Sequence, residues 1–92
     1  MARWQLGERY EKRAKKALTL DQRRIAKRYL DKLARDPPPG NLGFRPMEGH
    51  NGVLWECRAG GQNRFILRRT EDGQGAFFIV EDVGPHDIYG DY

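Results

Sequence analysis

The sequence predicts an α+β fold, two basic helices followed by an antiparallel meander. Three observations predict it. Apolar residues recur at helical spacing over residues 8–34, Pro37-Pro38-Pro39-Gly40 then stops the pattern, and three strand-like runs separated by glycine turns fill residues 53–82.

Trp4-Gln5-Leu6 offers a short opening strand. Glu8 to Ala17 reads as a first helix, with Tyr10, Ala14 and Ala17 on one side. Thr19-Leu20-Asp21-Gln22 fits a capping box, because a threonine oxygen can accept from a backbone N–H three residues on. A second helix runs from about Asp21 to Ala34, its stripe formed by Ile25, Tyr29, Leu30 and Leu33 and its other face by Arg and Lys. The short joint between them implies a helical hairpin. Residues 40–52 form a glycine-rich linker that Phe44 and Met47 tack onto the core. Val53 to Arg58, Arg64 to Thr70 and Ala76 to Asp82 read as strands. Gly60-Gly61 and Asp72-Gly73-Gln74-Gly75 are the turns between them. The unbroken apolar run Phe77-Phe78-Ile79-Val80 suits a strand covered on both faces.

With 92 residues, one domain spanning 1–92 is expected. No apolar run approaches membrane-spanning length and no signal peptide is visible. Cys57 is the only cysteine, which rules out an intramolecular disulfide and a cysteine-rich zinc site and fits a cytoplasmic protein. Charge is divided unevenly: residues 1–36 hold 12 Lys and Arg against 5 acids, whereas the remainder holds 5 Arg, no Lys and 8 acids. A basic front third suggests a polyanion or an acidic partner; a solvated helix face is the alternative.

The two histidines, His50 and His86, stand in no metal-ligand spacing, and Gly60-Gly61 lacks the lysine and helix of a phosphate loop. No metal or cofactor is expected. Arg58 and Arg64 bracket the first strand turn and should meet across the hairpin, where paired guanidiniums can clamp a phosphate. Each could instead pair with an acid such as Glu56 or Glu81. Arg68 and Arg69 are adjacent in a strand and point to opposite faces. Trp55 fits the core better than a stacking platform. His86, re-aimed by Gly84-Pro85, can take and return a proton near neutrality, and Tyr89 can stack on a base or orient a phosphate. Alternatively, both belong to a C-terminal tail that plugs the sheet edge.

Taken in order, "AKKALTLDQRRIAKRYLDKLARDPP", "PMEGHNGVLWECRAGGQNRFILRR" and "VEDVGPHDIY" resemble the RelE/ParE superfamily of bacterial toxins from type II toxin–antitoxin systems, over nearly the whole chain. The resemblance implies a short first strand and a helical hairpin packed on one face of a twisted antiparallel sheet. It also implies a ribosome-dependent mRNA endonuclease that works without metal. A 2′-hydroxyl attacks the adjacent phosphate, leaving a cyclic phosphate and a 5′-hydroxyl. On that pattern Arg64 matches the phosphate-stabilising arginine and Arg58 the arginine of the preceding strand. His86 matches the catalytic His or Arg, and Tyr89 a tyrosine of several relatives. The implied partners are a cognate antitoxin, rRNA and mRNA. Two departures stand out. This chain has no lysine after Lys32, and Arg45 occupies the region where some relatives place a glutamate base; Glu48 and Glu56 are substitutes beside His86. A gyrase-inhibiting ParE-type toxin without nuclease activity and a non-toxic RNA- or protein-binding module share the resemblance.

Overall fold

The Thr19 hydroxyl accepts a hydrogen bond from the Gln22 N–H at 3.1 Å, and the Gln22 side chain accepts from the Thr19 N–H at 2.9 Å. This reciprocal cap satisfies two donors that the helix start would otherwise leave unpaired. It opens helix α2, Leu20–Leu33, which follows helix α1, Tyr10–Ala17. The computed structural model describes residues 3–35 and 40–85, so the triple proline lies outside the described residues. The buried faces are Tyr10 and Ala14 in α1, with Leu18 just beyond it, and Ala26, Leu30 and Leu33 in α2. This corrects the expected stripes. Ala17 is exposed, Ile25 is 40% exposed and Tyr29 is half-buried, while Ala26 is fully buried. The α2 stripe turns inward on its smallest side chain, and Ala26 lets the helix approach the sheet closely.

The sheet has five strands in the order β1-β5-β4-β3-β2: β1 Arg3–Leu6, β2 Arg45–Pro46, β3 Leu54–Gly60, β4 Asn63–Asp72 and β5 Gly75–Gly84. β3, β4 and β5 form the antiparallel meander that the sequence predicts; each ends two residues later than expected, β4 and β5 start one residue earlier and β3 one residue later. β1 lies parallel to β5, Arg3 opposite Phe77 through to Leu6 opposite Val80, so the sheet as a whole is mixed. A parallel pair needs a long crossover, and the helical hairpin lies within the chain between them. β2 falls inside the segment read as a linker. Two residues carry no periodicity, and a proline in a strand is tolerated because β2 is an edge.

Alternation along the strands gives the sheet two different faces. Cys57, Ala59, Phe65, Leu67, Phe78, Val80 and Val83 pack with the helices in one core. Phe44 joins it, stacked on Trp55 at 4.9 Å and edge-on to Phe78 at 5.0 Å, which makes Trp55 a core residue as its pattern suggests. The intervening side chains, among them Glu56, Arg58, Arg64, Ile66 and Arg68, project from the other face.

Candidate functional site on the open sheet face

The β3–β4 hairpin positions the site. Its turn follows Gly60 (φ 106°) and Gly61 (φ 55°), left-handed backbone that favours glycine, and the register shifts between Arg58 and Gly60. The result sets Arg58 directly opposite Arg64, on one face of the sheet. Arg64 donates to the carbonyls of Asn63 at 2.9 Å and Gly61 at 3.4 Å. Arg58 runs alongside Gly43, where an added Cβ would stand 3.5 Å from its Nε.

The acids that the sequence offers as neutralising partners are committed elsewhere. Arg45 Nε donates to Glu56 Oε1 at 2.8 Å. Arg68 donates to both oxygens of Glu81, at 2.6 and 3.2 Å. Arg13 donates to Asp82 Oδ2 at 2.8 Å, and the Val83 N–H to its Oδ1 at 2.8 Å. Neither Arg58 nor Arg64 forms an ion pair among the described residues. Two rows thus cross the face side by side: Arg58, Arg64 and Gly84, then Glu56, Ile66 and Asp82. Glu56 is 7% and Asp82 3% exposed, and Ile66 between them is fully buried. Glu81 is the extra residue where the register shifts between Ile66 and Leu67, which lets two successive acids reach separate arginines.

The site residues read from sequence fare differently. Arg58 and Arg64 are brought together. His86 and Tyr89 lie outside the described residues, which end at Pro85, one residue after Gly84, the cross-strand partner of Arg64. Arg68 projects onto the open face, and Arg69, on the other side, meets Glu71 at 3.2 Å. His50 is half-buried in its loop. Among the described residues, no group of three or more His, Cys, Asp or Glu is placed to hold a metal. Cys57 faces the helices, and burial, then the charge of Glu56, push its thiol up to about 12 against a smaller opposing pull from Arg64. It is a packing residue rather than a nucleophile. The sequence reading missed Arg45 and Asp82. Asp82 left a signal, an acid directly after an apolar strand core, whereas Arg45 sits in a strand too short to recognise.

Two arginines in cross-strand register, neither paired with a carboxylate among the described residues, can hold an oxyanion through forked donors. Together with a helical hairpin on the opposite face of a five-stranded sheet, they sit on the fold of RelE/ParE-type toxins. Solved structures share this fold of two helices on a five-stranded sheet. The chain is similar to YafQ from E. coli, at 12% identity with a TM-score of 0.62, over 97% of this chain and 98% of that one. It resembles a chain of the E. coli DinJ-YafQ toxin-antitoxin complex at 14% identity and TM-score 0.59, covering 95% and 94%. It also resembles the YoeB/ParE toxin from Agrobacterium tumefaciens at 18% identity and TM-score 0.55, covering 91% and 98%. No family model and no curated protein sequence matches the chain. No helix among the described residues is long and apolar enough to cross a membrane.

Proposed function

We propose that this chain is the toxin of a type II toxin–antitoxin pair, and that it represses translation as an endoribonuclease cutting mRNA on the ribosome. One observation carries the reading: Arg58 and Arg64 stand in register on the open face, without an ion-pair partner among the described residues. Cleavage by an internal 2′-hydroxyl builds negative charge on the phosphorane oxygens, and paired guanidiniums oppose that charge where it develops. His86 supplies proton transfer and Tyr89 orients or stacks on the substrate. Gly84, two residues before His86 in the chain, ends the arginine row. The basic hairpin suits rRNA, a contact by charge without sequence readout. The partner is a cognate antitoxin, and the setting is the cytoplasm. The similarity to YafQ, solved in a toxin-antitoxin complex with DinJ, supports the antitoxin.

Translating ribosomes incubated with the protein should yield cut message with new 5′-hydroxyl ends. A 2′-deoxy substitution at the cut nucleotide should block the cut. Intact message together with stalled gyrase would replace this reading with that of a gyrase inhibitor. Intact message without toxicity would leave a binding module.

A further inference from the structure

We propose that Asn51 is a self-modifying site, at which the Gly52 nitrogen displaces the Asn51 side-chain amide and converts the folded chain to aspartate and isoaspartate forms. The inference stands apart from the endoribonuclease reading and does not depend on what the chain acts on.

His50, Asn51, Gly52 and Val53 form a tight turn between β2 and β3, closed by the Val53 N–H donating to the His50 carbonyl at 2.9 Å. Asn51 has φ 52° and Gly52 φ 77°, the positive pair that a type I′ turn requires and that favours Asn-Gly. Asn51 is the only residue other than glycine with positive φ among the described residues. Asn51, Gly52 and Val53 are all exposed. Among the described residues the Gly52 N–H donates no hydrogen bond, and the Asn51 amide makes none. Gly52 has no side chain to shield its nitrogen, and nothing lies within 4 Å of where a Cβ would stand. Ring closure must rotate the Asn51–Gly52 peptide out of the turn. Two bonds oppose that rotation, the Val53 closure and the Trp55 Nε1–H donating to the Gly52 carbonyl at 2.8 Å. The residues they hold are exposed, so water takes up the groups that rotation releases.

The other candidate positions are blocked. Asn41 precedes Leu42 inside the 3-10 turn Gly40–Leu42, and Asn63, 8% exposed, precedes Arg64 in β4. In both, a side chain on the next residue crowds the attacking nitrogen. Asp72-Gly73 has the glycine, but Arg3 binds both Asp72 oxygens, at 2.8 and 3.1 Å, and the Gln74 N–H adds a bond at 2.8 Å. Those bonds, that of Arg3 foremost, hold its carboxyl below the usual range, and an ionised carboxylate resists a nucleophile.

The step needs only water. The Gly52 nitrogen bonds to Asn51 Cγ, the bond from Cγ to the side-chain nitrogen breaks, and ammonia leaves with the proton that Gly52 gave up. The product is a five-membered imide. Water then opens the ring at either carbonyl. Opening at Cγ gives aspartate on an unchanged main chain. Opening at the main-chain carbonyl gives isoaspartate, whose main chain runs through Cβ and is longer by one carbon. That extra carbon breaks the Val53 closure and withdraws the Gly52 carbonyl from Trp55, whose ring stacks on Phe44 at 4.9 Å. Ageing of the chain therefore acts on the turn that sets β3 against β2.

The test incubates the purified full chain at neutral and mildly alkaline pH, then reads its peptides by mass spectrometry for exchange of amide for carboxyl. Asn51 should convert, faster as pH rises, while Asn41 and Asn63 keep their amides. A protein isoaspartate methyltransferase with a labelled methyl donor should mark the aged wild-type chain and leave aged Asn51→Gly unmarked. That variant keeps the turn, because glycine adopts positive φ without strain, but has no amide to lose. Aged wild-type chain should melt lower than fresh chain, and aged Asn51→Gly should not. An Asn51 that keeps its amide in the folded chain, under conditions where the urea-unfolded chain loses it, overturns the proposal. So does conversion no faster than at Asn41 and Asn63, or equal methyl label in the wild type and Asn51→Gly.

Discussion

Gly60→Ala should be among the most damaging single-methyl changes available to this chain. The residue ends β3 with φ 106°, where a side chain strains the backbone, and an added Cβ would collide with Ile25 Cγ2 and lie 3.4 Å from Tyr29 Cε2. The backbone conformation costs about 1–2 kcal/mol for a residue with a Cβ. The collision adds about 1–3 kcal/mol of overpacking, because the obstruction is a β-branched side chain of α2 rather than a flexible end. The sum, about 2–5 kcal/mol, is a large share of the stability of a small domain. Urea unfolding of Gly60→Ala, Ile25→Ala and the double variant separates the two contributions. Ile25 is 40% exposed, so Ile25→Ala alone should lose only on the order of 1 kcal/mol. In the double variant the collision vanishes while the backbone strain stays, giving a favourable coupling of about 1–3 kcal/mol. A Gly60→Ala loss below about 1 kcal/mol, or a coupling near zero, would refute the close approach of α2 to the end of β3.

Thr19→Ala removes the α2 cap and should lower stability by about 1 kcal/mol in the same assay. Phe65→Ala empties the centre of the core and should cost about 3–5 kcal/mol, which calorimetry would show as a large fall in melting temperature. The Cys57 thiol, raised by burial from 9.0 to about 12, and the Tyr10 phenol, raised by burial from 10.0 to about 12, stay protonated in the folded chain over a pH range where the unfolded chain loses those protons. Their contribution is full below pH 9 and is lost as pH rises toward 12, so the melting temperature should fall across that window, and less steeply in Cys57→Ala. Arg58→Gln should leave stability unchanged or raise it by about 0.2–1 kcal/mol, since it relieves a like-charge cross-strand pair. Cleavage should nonetheless fall by roughly 10²-fold or more.

Much of this fold is legible in the sequence, and the exceptions share a physical cause. The capping box, the helical hairpin and the three-stranded meander all depend on near neighbours along the chain, and local pattern reveals them. The arginine pair is legible in part for the same reason: a tight turn at Gly60-Gly61 brings Arg58 and Arg64 near each other across the hairpin, and the register shift between Arg58 and Gly60, which local pattern does not show, sets them directly opposite. Where packing decides, pattern fails. Ile25 looks like a core residue, yet the approach of α2 to the sheet selects Ala26 instead. β2 is invisible because pairing with β3, not its own two residues, makes it a strand. The parallel setting of β1 depends on contacts more than 70 residues apart, and so do the Arg3–Asp72 and Arg13–Asp82 ion pairs at slightly shorter range. Nothing in a local window announces any of them.

The distribution of charge on the open face is itself informative. Folding alone favours placing each acid of the face between two bases, and this chain has the acids to do so: Glu56 stands one row from Arg58 on the same strand and diagonal to Arg64 across β3–β4. Instead, arginines brought in from β2, β4 and α1 take up Glu56, Glu81 and Asp82. Arg58 and Arg64 are left as like charges in direct register, an arrangement that weakens a sheet by a few tenths of a kcal/mol up to about 1 kcal/mol. Retaining a repulsive pair beside carboxylates that are already neutralised makes sense if a further anion completes the site. On that view the same cross-strand repulsion that weakens the free protein favours a bound phosphate. An anion that occupies the arginine row should therefore raise the melting temperature of the native chain and have no such effect on Arg58→Gln.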